Sequence, residues 1–245
     1  VALGYTMVYG IIQLINFAHG EVVMIGAMVA YSVIVALVGS GAPLPPLAIV
    51  LAGALVAIPV CMAVGFTLER VAYRPLRGAP RLAPLITAIG LSIILQHLAM
   101  IVWSRNPLPY PQIVQTVSYH VTANPNGATI TNVQIAIIAV SVAMMAGLTA
   151  LVYRTKLGIA MRATAQNQPV AGLMGIDINR VIALTFVIAG GLGSVAGVMV
   201  GTYYGIAHYQ MGFLLGLKAF SAAVLGGIGN LAGAMLGGLL LGIIE

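Results

Sequence analysis

Long apolar runs alternate with short polar breaks along this chain, and the runs set the architecture. Residues 47–68, 82–103, 133–153 and 181–204 each approach the ~20 residues that a helix needs to cross a ~30 Å hydrocarbon core. Two further runs are too long for that. Residues 1–38 drawn as one helix would measure about 57 Å at ~1.5 Å per residue. That run must therefore break or turn, and it does so where Asn16, His19, Gly20 and Glu21 cluster. Residues 213–245 are apolar apart from Lys218 and the final Glu245, and their length predicts a re-entrant or broken helix.

The polar intervals fix which ends of the runs share a side. Residues 39–46 form an uncharged turn, and 104–132 are polar and Pro-rich with Arg105 as the only charge. By contrast Arg70, Arg74, Arg77 and Arg81 crowd the break after residue 68, and Arg154, Lys156, Arg162 and Arg180 face only Asp177 in the interval 154–180. Loops with such an excess of Lys and Arg lie on the cytoplasmic side. Two spans separate the two basic intervals, so parity also puts them on one side. The interval 154–180 has internal structure: 159–166 reads as a short helix, Pro169 suits the first turn of another, and Gly175 can close it. Two stubby helices on the cytosolic side would make a docking surface.

Composition excludes a soluble domain. The chain is 61% hydrophobic and 6% charged, against about 25% charged in soluble domains, and its mean hydropathy is +1.09. An all-α polytopic bundle is expected, one domain over 1–245 with 154–180 as its cytosolic loop and room for about six to eight crossings of ~20 residues. The net charge of +6 does not mark a nucleic-acid partner, because eight of the ten basic residues lie in the two loops. Cys61, the only cysteine, rules out an internal disulfide or a multi-cysteine metal cage. The chain opens on Val1 and stops at Glu245 within an apolar stretch, so both ends are expected to be trimmed relative to the gene product.

A repeat links two of the apolar runs. Residues 183–201 and 219–237 share the skeleton GG-x-G-x-x-AG-x-M-x-G, and paired Gly-interrupted segments point to transport pathways. Gly193, Gly197, Gly201 and Gly205 recur every four residues, as do Gly229, Gly233 and Gly237. Such strips let a neighbouring helix approach closely, whether for plain packing or for sliding.

Enzymatic signatures are lacking. The two lysines, Lys156 and Lys218, stand in no G-x-x-x-x-G-K-[ST] loop, so the chain should not hydrolyse ATP itself. There is no G-x-S-x-G serine and no H-E-x-x-H helix. No catalytic residue, metal site or cofactor is expected. Polar groups inside spans are expensive and thereby mark function; here they are Gln13, Asn16, His19, Glu21, Gln96 and His97. The first cluster reads either as a helix break at the interface, with Asn16 capping and Glu21 in the first turn, or as a broken helix lending polar groups to a substrate path. Gln96 and His97 read as contacts to a neighbouring helix.

The segments Ile15-Asn16-Phe17-Ala18-His19-Gly20-Glu21 and Gly226-Gly227-Ile228-Gly229-Asn230-Leu231-Ala232-Gly233-Ala234 resemble the permease subunits of ABC importers for branched-chain amino acids. Glu69-Arg70-Val71-Ala72-Tyr73-Arg74-Pro75-Leu76-Arg77 and Arg180-Val181-Ile182-Ala183-Leu184-Thr185-Phe186 are similar to stretches of the shorter permease of that family. The resemblance runs over essentially the whole chain. It implies a bacterial inner-membrane protein that works with a second permease subunit, two cytosolic ATP-binding subunits and a periplasmic amino-acid-binding protein. It also implies a coupling segment of the form Glu-Ala-Ala-x-x-x-Gly. The matching window is 169–175, where Ala171 and Gly175 agree and Pro169 and Val170 depart; Arg162, Ala171 and Gly175 are the expected coupling residues. The substrate path is expected against Asn16, His19, Glu21, Gly226, Gly227, Gly229 and Gly233. Permeases for urea or short amides share this look, and a self-contained transporter or channel would also show a Gly-rich bundle.

Overall fold

A computed structural model describes residues 1–12, 16–41, 43–80, 82–114, 116–120 and 129–244. Gln13, Arg81 and residues 121–128 of the Pro-rich interval lie outside the described residues. The chain is an all-α bundle: α1 (Ala2–Ile12), α2 (His19–Gly39), α3 (Pro46–Leu68) running on through a π-helical turn (Glu69–Tyr73), α4 (Leu82–Val102), α5 (Asn132–Arg154), α6 (Lys156–Gln166), α7 (Gln168–Leu173), α8 (Ile178–Tyr204), α9 (Met211–Leu225) and α10 (Leu231–Ile244). Among the described residues five helices are long and apolar enough to cross a membrane, namely α2, α3 with its π turn, α4, α5 and α8. The expected six to eight full crossings are thus reduced. The apolar surplus goes into α1, α9 and α10, which are 11, 15 and 14 residues long and fall short of a ~30 Å core at ~1.5 Å per residue.

Both overlong runs break, as their length demands. The first separates into α1 and α2, with the turn before His19; Gly20 already lies inside α2. The second folds back at 226–230 into the α9–α10 hairpin. Gly227 and Gly229 take positive φ of 85° and 93° in that turn, which side chains resist. Asn230 accepts from the Gly233 amide at 3.1 Å and so starts α10. A Cβ on Gly226 would run into the Gly233 carbonyl, and one on Gly237 into the Ala222 carbonyl. The hairpin closes only because these positions are bare.

Helices α2, α3 and α8 form the centre. A Cβ on Gly197 would meet the Val23 carbonyl and one on Gly190 the Cys61 carbonyl, while one on Gly26 would sit 2.7 Å from Ser194 Cα. Backbone-to-backbone packing of this kind replaces the hydrophobic drive that a bilayer does not supply. The α8 strip is mixed in use: Gly201 makes room for the Tyr110 ring, and Gly205 is the left-handed C-cap with φ of 67°. Outer helices bury little. α5 buries only Leu148 among its residues and exposes Ile138 and Val142, as α4 exposes Ile86 and Ile101, which suits lipid or another subunit.

Loop contacts bear out the parity argument. Arg77 Nη1 donates to Asn179 Oδ1 at 2.7 Å, so the basic break after α3 touches the start of α8, where the second basic interval ends. At the opposite end β1 (Leu108–Pro109) pairs antiparallel with β4 (Ile206–Ala207), and the Tyr110 amide donates to the Gly205 carbonyl at 2.9 Å. A second small hairpin, β2 (Ser118–His120) with β3 (Thr129–Thr131), dresses the same Pro-rich interval. These strands escaped the sequence reading because two- or three-residue ladders leave no periodic signal. In a Cys61→Ala background, single cysteines replacing Gly78 and Asn106 should react with an impermeant maleimide from opposite faces of the membrane. Labelling from one face would contradict the shared side of the two basic loops.

Candidate functional site

The break before α2 lies deep in the bundle. His19 faces Gly193, about half-way along α8, and Glu21 reaches Ser92 and Gln96, about half-way along α4. α2 therefore starts at mid-depth between the two loop faces, and its first turn carries three buried polar side chains, counting Asn16 just upstream.

Each of these residues has a defined partner or lacks one. The Tyr73 hydroxyl donates to Asn16 Oδ1 at 2.8 Å. Asn16 is thus a tertiary anchor and does not cap α2, whose N-cap position is Ala18 without a side-chain hydrogen bond. The His19 ring packs edge-on against Tyr5 with centroids 5.0 Å apart, and its Nε2 has no hydrogen-bond partner among the described residues. Glu21 is 0% exposed. Its Oε1 accepts from Ser92 Oγ at 2.8 Å and from Gln96 Nε2 at 2.9 Å, while Oε2 has no hydrogen-bond partner among the described residues and lies against the backbone of Gly212 in α9. A buried carboxylate without a counter-ion costs several kcal/mol. The α2 dipole offsets about 0.3–1 kcal/mol of that, and two neutral donors about 1.5–3 kcal/mol each. These terms are of the same size as the cost, and they all act through Oε1 and the helix terminus; Oε2 meets no donor among the described residues.

Beside the carboxylate runs a groove of about 610 Å³ between α4 and α9, lined by Phe17, Ser92, Gln96, Phe213 and Leu217. Its wall is mostly aliphatic and aromatic, and its polar points are Gln210 and the two side chains that hold Glu21. Ser92 was not singled out from the sequence, although Ser92 and Gln96 stand four apart on one face of a mostly apolar helix. His97 turns outward; its Nδ1 lies 2.9 Å from the Ile93 carbonyl.

The glycines of the hairpin turn go elsewhere. Gly229 and Leu231 share a pocket of about 220 Å³ with Gly10 and Ile11 of α1 and with Arg162 of α6. The glycines packed against the first turn of α2 are Gly212 and Gly216 of α9; the surroundings of Gly226, Gly227, Gly229 and Gly233 hold no residue of that turn.

The interval between α5 and α8 is tightly specified. Thr155 caps α6 by accepting from the Gly158 amide, Asn167 caps α7 by accepting from the Val170 amide, and Asp177 caps α8 by accepting from the Arg180 amide. α7 ends in a Schellman motif: the Gly175 amide donates to the Gly172 carbonyl and the Ile176 amide to the Ala171 carbonyl, with Gly175 at φ 83°. Ala171 is buried, so the two positions that agree with the coupling pattern shape the turn from within. What the turn presents is Val170, Leu173 and Met174, the last two 87% and 80% exposed. Arg162 stacks over Tyr153, its guanidinium 5.0 Å from the ring centroid. The other basic loop is pinned by an Arg77–Glu69 ion pair. Burial pulls the Arg77 guanidinium below its ordinary pKa, and the facing carboxylate opposes that shift.

Apolar helices that bury one polar break at mid-depth, with structured basic loops on one face, define a multi-pass membrane protein. The sequence matches, over residues 1–245, the family described as branched-chain amino acid transport system / permease component, and the chain belongs to that family. It is 49% identical over 245 residues to the high-affinity branched-chain amino acid transport system permease protein BraD of Pseudomonas aeruginosa, covering all of this chain and 80% of the relative. It is 47% identical over 247 residues to the corresponding LivH of Escherichia coli K12, covering 79% of that protein. A probable branched-chain amino acid transport permease of Methanocaldococcus jannaschii is 28% identical over 252 residues and is covered to 75%. No solved structure matches.

Proposed function

We infer that this chain is a membrane-spanning subunit of an ATP-driven importer of leucine, isoleucine and valine in a bacterial inner membrane. The full-length family match carries the reading, and the site supports it. A permease without nucleotide chemistry of its own needs a place for an ATPase to push, and the α6–α7 interval offers one on the face with the Lys/Arg excess. Its partners on this reading are a second permease subunit, two cytosolic ATP-binding subunits and a periplasmic amino-acid-binding protein.

The parts divide by depth. Residues 154–180 form the cytosolic coupling loop, in which Ala171 and Gly175 hold the α7 turn in shape while Leu173 and Met174 seat in the ATPase. Arg162 shares a pocket with Gly229, so a shift of α6 reaches the α9–α10 turn formed by Gly226, Gly227, Gly229 and Gly233. The substrate path runs at mid-depth past Asn16, His19 and Glu21. The test is replacement: in a strain stripped of its own shorter branched-chain permease, this chain should restore binding-protein-dependent uptake of labelled leucine. Restored uptake of urea without leucine would reassign the substrate.

A further inference from the structure

The Glu21 carboxylate has an unoccupied role that the fold does not explain. It is wholly buried, one oxygen is held by Ser92 and Gln96, and the other has no hydrogen-bond partner among the described residues. Neither ion pair of the described residues involves it. A side chain kept only for helix packing would have both oxygens satisfied or would be a glutamine, which could accept from the same two donors. The two residues that orient it also line the α4–α9 groove and stand between it and Glu21; the rest of the lining is Gln210 and apolar side chains such as Phe17 and Phe213. Its volume falls in the ~300–1,000 Å³ range of small-molecule sites. A cation in this groove is separated from an oriented carboxylate at mid-depth only by the Ser92 and Gln96 side chains, and an aliphatic chain attached to that cation lies against the aromatic and leucine wall.

We propose that Glu21, positioned by Ser92 and Gln96 behind the wall of the α4–α9 groove, is the station that takes the ammonium group of the transported aliphatic amino acid. This rests on the importer reading above and adds the atoms that recognise the substrate inside the membrane. Gly20, Gly212 and Gly216 allow α9 to lie directly on the first turn of α2, so the free oxygen sits at the seam between these two helices. A small relative movement of α9 against α2 and α4 uncovers or covers it. The ammonium supplies the missing counter-charge on arrival and surrenders it on departure.

The experiment uses the assembled importer in proteoliposomes with leucine-loaded binding protein at saturation. Glu21→Gln keeps the shape and the acceptor for Ser92 and Gln96 but removes the charge. Leucine uptake is expected to fall about tenfold or more, the loss of one charge-assisted hydrogen bond, while subunit assembly stays at the unsubstituted level. Glu21→Asp should recover part of the rate. Uptake by Glu21→Gln equal to that of the unsubstituted importer overturns the proposal and leaves the importer reading intact. If Glu21→Gln does not assemble, Ser92→Ala with Gln96→Ala decides, since it keeps the charge and removes its orientation: a severalfold slower uptake supports the proposal and an unchanged rate overturns it. An unsubstituted importer that moves no leucine defeats the importer reading itself, a separate result.

Discussion

Leu173→Asp combined with Met174→Asp is expected to cut ATP-driven uptake more than tenfold, with the membrane bundle intact. Both side chains stand 80% or more exposed at the α7 turn. Burying a Leu or Met side chain in a partner is worth about 1.5–3 kcal/mol, and each 1.4 kcal/mol is tenfold in an equilibrium. Neither residue supports the chain's own core, so the loss should appear as failed capture of the ATP-binding subunits and not as lower abundance. Co-purification of the ATPase with the tagged permease measures it directly. Full retention of the ATPase by the double variant would move the docking surface away from α7. Gly175→Val should act on the same contact less directly, by straining a residue at φ 83° at about 1–2 kcal/mol.

The second large effect is structural. Gly226→Val places side-chain carbon where the Gly233 carbonyl lies, and a carbonyl of the opposing helix cannot turn aside as a side chain can. Inserting carbon into a packed site costs about 1–3 kcal/mol even where side chains can adjust, so the α9–α10 hairpin should open and the heat resistance of the purified protein should collapse. Gly242→Val is the control, because a Cβ there meets nothing within 4 Å. Equal survival of the two variants on heating in detergent would show that the hairpin does not depend on its bare face. Gly229→Leu has free space for its Cβ but a φ of 93°, and should fall between the two.

Much of the fold was legible because a bilayer constrains helix length so strongly. The spans read at 47–68, 82–103, 133–153 and 181–204 appear as Pro46–Leu68, Leu82–Val102, Asn132–Arg154 and Ile178–Tyr204. The breaks near residue 20 and after residue 225 followed from runs too long to stay straight, and α6, α7 and the Gly175 stop from local cap chemistry. The contacts of the site were harder. Glu21 finds partners 71 and 75 residues away on α4, and helices that are apolar on every side give no moment that says which face meets which neighbour. Asn16 looked like a cap because its position fits one; Tyr73, brought in by the π-helical turn, takes its side chain instead. The separation of the 226–233 turn from the α2 break could not be read either. Both are Gly-containing interruptions, and only the direction of α9 puts the turn beside Arg162.

Proteoliposomes holding this chain, its second permease and the ATP-binding subunits offer the most direct measurement. With ATP on the side of Arg77 and Arg162 and leucine-loaded binding protein on the side of Asn106, labelled leucine should accumulate against its gradient, and vesicles lacking ATP or the ATP-binding subunits should show none. Leucine flux at equal rate without ATP would contradict the account, because the chain would then be a self-contained carrier or channel.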